Sequence, residues 1–421
     1  MYRIASTHSF NQKAFCAIII LLLSIIFFFL NTYNRYSFGP IHEMSRINHE
    51  GKEDNGEKAI MQFERYSDMK YILLWTNPKN FPFVYFGEGQ QVFIQKKCKW
   101  TNCYVTGDRG LLGDYSEFDV IAFNGPQLGA ALATTPADLP ARRTPAQKYV
   151  YANIESANTY PVCNRIWNDY FNWTWTYKLD SDSLWRYFVV RDERGNIIGP
   201  ATSVHWISVA AMKPVDDDLL EKLSGKRKAA AWFVSNCNTE SRREEFASQV
   251  QNYLRRYDLK VDVFGECGTL QCPKQIMSRC LNMLERDYYF YFAFENALSE
   301  DYVTEKILYA LKHYTVPIVY GGANYSRFMP PGAYLDGRRL GAAGLAERMY
   351  ELTQSPPQYQ KMFRWRQHYS FHYTHARPDA DVYCGFCAAL NAPEALTTTV
   401  YERFDAWWTP KDACRGRDAK P

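Results

Sequence analysis

The sequence predicts an α/β protein with two Rossmann-like domains facing a cleft, preceded by a single N-terminal membrane helix and a stem. Short apolar runs alternate with helical patterns on both sides of a charged linker near residues 214–227, a pattern typical of parallel sheets. The segment from Phe292 to Gly322, FAFENALSEDYVTEKILYALKHYTVPIVYGG, has the order strand, loop, helix, strand. Such a crossover returns the chain to the same end of a parallel sheet.

The chain opens with a candidate membrane anchor. The run from Ala14 to Leu30 carries no charge, and at about 1.5 Å per residue it nearly spans a thin hydrocarbon core. Arg3 and Lys13, in the tail 1–13, favour a cytoplasmic tail and a lumenal head. A cleaved signal peptide is the alternative, but the run is long for one and no small-x-small cleavage site follows it. A short span suits the thinner secretory membranes, which favours the Golgi or the endoplasmic reticulum.

The rest of the chain divides into a stem, two domains and a C-terminal segment. Residues 31–65 are polar and lack the period of helix or strand, as expected of a flexible stem. Residues 66–215 contain the strand candidates MKYILLWT, FDVIAFNGP and QKYVYANIE. Residues 226–375 contain AAAWFVSN, KVDVFGECG and DYYFYFAFEN, with a helical stretch at 242–257. Residues 376–421 contain the CxxC motif CGFC.

Composition excludes some classes of protein. A chain of 421 residues with 47% hydrophobic and 16% aromatic residues can form two sizeable cores. The formal charge of +4 is small and the charges are interspersed, which argues against a nucleic-acid partner. The sequons that begin at Asn172 and Asn324 are candidate glycosylation sites.

Cysteine usage agrees with an oxidising compartment. One of the eleven cysteines lies in the membrane run, and an even number remains, which suggests disulfides. We expect Cys384 and Cys387 to close a short loop, and Cys98 and Cys103 to form another local pair, although spacing does not fix the connectivity. A zinc half-site at CGFC is the alternative, but no second CxxC or paired histidine supplies the other ligands.

The loop and helix after DYYFYFAFEN form a candidate anion site. Tyr302, Glu305, Lys306 and Tyr309 are spaced i, i+3, i+4 and i+7, which predicts one shared helix face. A helix N-terminus has unpaired N–H groups, and Lys306 adds a full positive charge, so a diphosphate fits there. An exposed ion pair on a solvated helix face is the alternative.

Transfer of a sugar from a nucleotide requires neutralisation of the leaving diphosphate by a metal or by basic side chains. The triplet from Asp180 to Asp182 is a weak metal signal, whereas Arg243 and Lys306 each follow a strand of the second domain. A general base is also needed, and Glu155 ends QKYVYANIE at the cleft. A solvated loop glutamate is the competing interpretation of Glu155.

These segments resemble the α1,3/4-fucosyltransferases of glycosyltransferase family 10. The resemblance rests on FAFENALSEDYVTEKILYALKHYTVPIVYGG, SNCNTESRREEF, KVDVFGECG, YVYANIESANTYP and FNWTWTYKLDSD, and it covers roughly residues 69–387. Ala297 stands where the family usually has serine. Invertebrate Golgi α1,3-fucosyltransferases with a C-terminal CxxC are the most similar group.

The resemblance implies a GT-B architecture, with the acceptor site in the first domain and GDP-fucose in the second. It implies a type II protein of the Golgi cisternae that transfers fucose to a glycan of a glycoprotein or glycolipid, with inversion. No metal is implied as obligatory, and stimulation by a divalent metal is left open. The aspartate triplet occurs in the family's acceptor domain, so its likeness to a metal motif is misleading.

Specific residues take roles by the same resemblance. Glu155 becomes the general base, and Arg243 and Lys306 become the diphosphate ligands. Asn296, Tyr302 and Glu305 are placed around the phosphates, the ribose or the fucose.

Two other functions remain as alternatives: a catalytically silent, lectin-like membrane protein and a glycosyltransferase for another nucleotide-sugar. The acceptor is open between the innermost GlcNAc of an N-glycan and a terminal N-acetyllactosamine. Five aromatic residues of the first domain are candidates either for sugar stacking or for the core: Tyr160, Trp167, Tyr170, Trp173 and Trp175.

Overall fold

A computed structural model describes residues 65–128 and 139–414 of the chain. The predicted tail 1–13, the predicted span 14–30 and the predicted stem up to residue 64 lie outside this part. In the part that is described, no helix has both the length and the apolar character needed to cross a membrane.

The first sheet is parallel, with strand order β2-β1-β3-β4-β5-β6. All its strands lie within the predicted first domain, and the central ones are buried along their whole length, as expected of a sheet covered on both faces. The strands are β1 Lys70–Leu74, β2 Cys103–Thr106, β3 Val120–Asn124, β4 Lys148–Asn153, β5 Trp173–Thr176 and β6 Ser183–Leu184.

The second large sheet is also parallel, with order β10-β9-β11-β12-β13. It lies within the predicted second domain, and it contains the predicted strand, loop, helix and strand unit as β11, a helix and β12. The α/β prediction with two Rossmann-like sheets is confirmed. The strands of this sheet are β9 Lys228–Phe233, β10 Val261–Phe264, β11 Tyr288–Phe294, β12 Val316–Tyr320 and β13 Leu335–Asp336.

Helices cover both parallel sheets. The longer ones flank the second sheet, and their apolar residues join its core. In the described residues the α-helices are α1 Gln91–Gln95, α2 Gly125–Leu128, α3 Asp217–Ser224, α4 Arg243–Leu254, α5 Met277–Asp287, α6 Lys306–Lys312, α7 Gly337–Gln354, α8 Pro356–Lys361, α9 Val382–Leu390 and α10 Phe404–Trp408.

A small antiparallel sheet, which the sequence did not reveal, joins distant parts of the chain. It consists of β7 Phe188–Asp192, β8 Ile197–Gly199 and β14 Tyr369–Tyr373, in the order β14-β7-β8. Buried Arg191 forms a bidentate ion pair with Asp379 at 2.8 Å for both bonds, beside this sheet. The segment that contains β14 and Asp379, late in the chain, therefore packs against β7, which belongs to the first half of the chain.

The disulfides correct the predicted local pairing. Cys98 is bonded to Cys384 and Cys103 to Cys387, so neither pair is local. The reason is that Cys384 and Cys387 share a face of α9, and this face packs against the first sheet. The predicted C-terminal segment is therefore tied to the first domain rather than closed on itself. Three further disulfides are present among the described residues: Cys163–Cys414, Cys237–Cys267 and Cys272–Cys280.

Candidate active site

The loops that follow β4 and β11 meet beyond the carboxyl ends of their strands. We call residues 154–160 the β4 loop and residues 295–305 the β11 loop. The hydroxyl of Tyr302 donates a hydrogen bond of 3.2 Å to Oε2 of Glu155. This contact brings the predicted base against the predicted donor segment. It lies where α/β proteins bind their ligands, beyond the carboxyl ends of parallel strands.

A second contact fixes the same two loops. The hydroxyl oxygens of Ser156 and Ser299 lie 2.7 Å apart, and both residues are buried. The backbone N–H of Asn158 donates to the Ser299 hydroxyl over 3.1 Å. Buried hydrogen bonds of this kind hold groups in one arrangement, because leaving any partner unpaired is costly. The position of Glu155 relative to the β11 loop is therefore defined by more than one bond.

A fully buried carboxylate organises the β11 loop. Glu295, which directly follows β11, is 0% exposed. It accepts hydrogen bonds from the backbone N–H of Thr304 at 2.8 Å, from the Thr304 hydroxyl at 3.0 Å and from the ammonium of Lys306 at 2.9 Å. A buried carboxylate requires such partners, and they draw residues 304–306 toward the end of the strand.

This packing corrects the predicted helix start. Helix α6 begins at Lys306, with Glu305 as its N-cap, so Tyr302 lies in a loop and shares no helix face with Lys306. Asp301 has a left-handed φ of 55°, and its carboxylate is bonded to the Leu179 N–H. These tertiary hydrogen bonds outweigh the helical spacing of the sequence. The predicted helix face shared by Tyr302 and Lys306 is therefore wrong, whereas Lys306 does lie at a helix N-terminus.

Lys306 is held as a cation. Burial alone lowers the pKa of its ammonium, but the carboxylates of Glu295 and Glu305 outweigh burial and the pKa is raised overall. The Glu305 carboxylate lies 4.0 Å from the Lys306 ammonium, and the Lys306 side chain is 22% exposed. Lys306 is thus charged and partly accessible, and it is already paired before any ligand binds.

Arg243 is the first residue of α4, as its predicted place after β9 requires. Its side chain is buried. Nη1 donates to the Phe294 carbonyl at 2.7 Å and Nη2 to the Asn236 carbonyl at 3.2 Å. The buried Nε has no hydrogen-bond partner among the described residues. The guanidinium therefore joins the ends of β9 and β11 at the edge of the sheet where Lys306 lies.

Glu155 has the electrostatic surroundings expected of a base. Burial raises the pKa of its carboxyl, while the Tyr302 hydroxyl and the Lys306 ammonium counteract part of that rise. Its backbone N–H donates to the side chain of Asn153 at 2.8 Å, which fixes the turn that follows β4. A carboxylate with a raised pKa is a better proton acceptor near neutral pH than an exposed one.

Two further predicted residues lie in the β11 loop. The side-chain oxygen of Asn296 is buried and has no hydrogen-bond partner in the described part of the chain. Its carbonyl accepts from the backbone N–H of Ser241 at 3.1 Å. The side chain of Glu305 is 40% exposed. The structure therefore places the predicted site residues on two loops and on the first turns of α4 and α6.

Sequence reasoning missed two parts of the site. Glu295 was visible as an acid directly after an apolar strand, a position where an unpaired charge would be costly. Tyr187 gave no signal, since it follows a tryptophan-rich segment like many core residues. Its hydroxyl donates to the carbonyl of Ile154, and its ring lies 6.3 Å from that of Tyr302. Tyr187 therefore fixes the backbone next to Glu155.

The cluster carries three carboxylates and two cations, which gives a formal charge of −1 when all are ionised: Glu155, Glu295, Glu305, Arg243 and Lys306. Glu295 is the innermost acid and is already neutralised by Lys306. An anion that binds here shares Lys306 with Glu295. The arrangement can accept a proton at Glu155 and stabilise negative charge nearby.

The aspartate triplet anchors the C-terminal segment. Asp180 accepts from the indole N–H of Trp407 at 2.9 Å. Asp182 accepts from the Thr174 N–H and the Tyr401 hydroxyl, both at 2.8 Å. The described residues contain no group of three or more His, Cys, Asp and Glu side chains placed to hold a metal ion.

The two sequons differ in accessibility. Asn172 is 4% exposed, and its amide nitrogen donates to the Thr399 carbonyl at 2.6 Å. This packing leaves no room for a glycan, which counts against the predicted modification. Asn324 is exposed, and its side-chain oxygen accepts from the Ser326 N–H at 3.2 Å.

The aromatic set of the first domain is mostly core. The three tryptophans of the set are buried, whereas Tyr160, in the β4 loop, is 37% exposed. Tyr170 is half-buried. Tyr160 is therefore the member of the set with a side chain available to a ligand.

Comparison with known proteins identifies related chains. Residues 67–188 match the family model described as fucosyltransferase, N-terminal, and residues 223–407 match glycosyltransferase family 10 (fucosyltransferase), C-terminal. The alpha-(1,3)-fucosyltransferase C of Drosophila melanogaster is 34% identical over 374 residues, which cover 84% of this chain and 81% of that protein. The glycoprotein 3-alpha-L-fucosyltransferase A of the same species is 28% identical over 335 residues, which cover 78% of this chain and 59% of that protein.

A solved structure is also similar. The crystal structure of an alpha1,3-fucosyltransferase with GDP-fucose aligns with a TM-score of 0.46 and 15% identity, over 82% of this chain and 95% of that one. The family assignment depends instead on the relative from Drosophila, because its 34% identity extends over most of both chains. The resemblance found in the sequence is confirmed: the chain belongs to glycosyltransferase family 10, the fucosyltransferases.

Proposed function

We propose that this enzyme transfers L-fucose from GDP-β-L-fucose, in α1,3 linkage and with inversion, to a GlcNAc residue of a glycoprotein or glycolipid glycan. The hydrogen bond between Tyr302 and Glu155 carries the proposal, because it sets a carboxylate of raised pKa beside the cationic end of the second sheet. The name of the Drosophila relative, an alpha-(1,3)-fucosyltransferase, supports the linkage.

The donor occupies the carboxyl edge of the second sheet in this proposal. Arg243 and Lys306 hold the diphosphate, and Asn296, Tyr302 and Glu305 surround the phosphates, the ribose or the fucose. The unpartnered Arg243 Nε and Asn296 Oδ1 support this, since each is a polar atom without a hydrogen bond among the described residues. A donor that hydrogen-bonds them would satisfy both atoms.

Fucosyl transfer then proceeds in one displacement. The acceptor hydroxyl loses its proton to the Glu155 carboxylate while its oxygen forms a bond to C1 of fucose. The bond between C1 and the β-phosphate oxygen breaks, and its electron pair leaves with GDP. Positive charge develops on the sugar ring, as in other glycosyl transfers. Arg243 and Lys306 stabilise the departing phosphate, and attack opposite the leaving group inverts C1.

The proposed reaction needs no obligatory metal, since two side-chain cations are available for the diphosphate. Activity is therefore expected to persist in excess EDTA. A complete loss of activity that added Mn²⁺ or Mg²⁺ restores would instead support metal-dependent transfer.

The substitution Glu155→Gln tests the proposed base. Loss of a general base is expected to lower the transfer rate by about 10²- to 10⁴-fold, while GDP binding by calorimetry stays unchanged. Glu300→Gln is the matched control, because Glu300 lies in the β11 loop that contacts Glu155, with its side chain 69% exposed. Transfer at the wild-type rate by the Glu155→Gln enzyme, measured with radiolabelled GDP-fucose, would refute the assignment.

A glycan panel with N-glycan cores and N-acetyllactosamine antennae would identify the acceptor.

We also propose a Golgi location for the chain, as a type II protein held by a signal anchor at 14–30. The support is the apolar run with its flanking Arg3 and Lys13. A C-terminal tag should be protected from protease in intact microsomes and colocalise with Golgi cisternae. Cleavage of the tag without detergent would contradict the orientation.

A further inference from the structure

We infer that the disulfide Cys237–Cys267 positions the donor site, and that its loss weakens binding of the nucleotide donor. The inference rests on the proposed function. The disulfide acts through residues 235–241, here called the β9 loop, which leads from β9 to the first residue of α4, Arg243. Residues 235–238 of this loop are exposed to solvent.

The β9 loop contributes directly to the position of the arginine. The carbonyl of Asn236 accepts from Nη2 of Arg243 at 3.2 Å, and Asn236 is the immediate neighbour of Cys237. A shift of this carbonyl removes one of the two backbone contacts that orient the guanidinium. The other, to the carbonyl of Phe294, belongs to a buried strand end.

The disulfide fastens the β9 loop to the loop after β10. Cys237 and Cys267 have Cα atoms 5.3 Å apart, and β9 and β10 are adjacent parallel strands, so both loops leave the same edge of the sheet. The two loops already touch where they leave their strands: an added Cβ at Gly265 would lie 2.5 Å from the carbonyl oxygen of Val234. The disulfide extends this contact to the exposed tip.

The β9 loop also contacts the rest of the site. Ser241 donates from its hydroxyl to the carbonyl of Glu295 at 2.7 Å. Glu240 accepts from the hydroxyl of Thr159 in the β4 loop at 3.2 Å. The loop thus connects Arg243, the β11 loop and the loop that carries Glu155, and its exposed half is anchored by the disulfide.

Release of the loop should affect the donor in particular. If the free loop adopts the binding arrangement for one third to one tenth of the time, the apparent donor affinity falls about three- to tenfold. Acceptor KM is expected to stay within twofold, since the acceptor is assigned to the first sheet. A disulfide with only a structural role would instead lower the melting temperature and leave donor KM unchanged.

The test uses the full-length protein with the double substitution Cys237→Ser/Cys267→Ser. The matched control is Cys272→Ser/Cys280→Ser, which removes a disulfide that ties the following segment to α5. Donor KM, acceptor KM, kcat and calorimetric GDP affinity are measured for each. We expect a three- to tenfold rise in donor KM and in GDP Kd for the first variant, and wild-type values for the control.

Two further results decide the inference. In an Arg243→Lys background, removal of Cys237–Cys267 should have a smaller effect on GDP Kd, because coupled residues are not additive. If the double variant does not fold, Cys237→Ser alone serves, since Cys237 is exposed and its loss opens no cavity. Unchanged donor KM and GDP Kd in a folded variant would overturn the inference. Absence of transfer by the wild type would instead reject the proposed function.

Discussion

Removal of the Lys306 ammonium tests whether this residue binds the donor or only neutralises Glu295. The Lys306→Met substitution leaves the Glu295 carboxylate, which is 1% exposed as a side chain, without its counter-ion. Breaking a buried ion pair at one partner costs about 3 to 5 kcal/mol. The hydrogen bonds that the Thr304 N–H and hydroxyl donate to Glu295 remain, and Lys306 is partly exposed, so we expect a loss in the free energy of unfolding near the lower value, about 3 kcal/mol.

The double substitution Lys306→Met/Glu295→Gln separates stability from binding. Both charges are then absent, and the Thr304 donors still have an amide oxygen to bond. Replacement of a whole buried pair is often neutral for stability, so most of the lost free energy should return. If Lys306 contacts the diphosphate, the double variant still lacks a charged hydrogen bond worth about 1.5 to 3 kcal/mol. This corresponds to roughly a 10- to 150-fold rise in the Kd for GDP.

Urea unfolding and GDP calorimetry on the wild type, the single variant and the double variant complete the cycle. Recovery of both stability and GDP affinity in the double variant would refute the donor role, because Lys306 would then act only as the counter-ion of Glu295. Recovery of stability alone, with GDP affinity still reduced, is the expected outcome.

Three further predictions concern pH, glycosylation and disulfide pairing. Burial lowers the pKa of Lys226 from 10.5 to about 7. Above pH 7 the unfolded chain therefore binds more protons at Lys226 than the folded chain does, so the free energy of unfolding should rise by up to about 1.4 kcal/mol per pH unit. Urea unfolding measured between pH 7 and 9 should show a smaller rise for Lys226→Met than for the wild type. Mass spectrometry of protein from secretory cells should find a glycan on Asn324 and none on Asn172, and an occupied Asn172 would contradict the packing of its amide against Thr399. A non-reducing peptide map should join Cys98 to Cys384 and Cys103 to Cys387; a peptide with an internal Cys384–Cys387 bond would favour the local pairing.

Elements that depend on local pattern were predictable from the sequence. The strands β1, β3, β4, β9, β10, β11 and β12 coincide with apolar runs bounded by turn residues. The position of Arg243 at the start of a helix followed from the polar loop after AAAWFVSN. Strand β6 has two residues and β14 pairs antiparallel with β7, far away in sequence, so neither leaves a periodic signal in its own segment.

The errors have a common physical cause, which is competition from distant partners. Spacing in the sequence shows that Tyr302 and Lys306 could share a helix face, but not that Glu295 accepts from Thr304 between them. In the same way, CGFC shows two nearby cysteines, but not that a helix turns both toward Cys98 and Cys103. In each case a buried contact with a distant or non-helical partner decided the local structure.

Glu295 connects the fold to the chemistry at this site. As a buried acid it needs a cation, and Lys306 is that cation, so the residue proposed to bind the donor is also required by the core. In the proposed mechanism, an arriving diphosphate competes with Glu295 for the ammonium, which weakens ground-state binding to Lys306. During transfer, negative charge grows on the departing phosphate, and its attraction to Lys306 grows with it. The pairing with Glu295 thus favours the transition state over the bound donor, so that loss of Lys306 should lower kcat more than it raises donor KM.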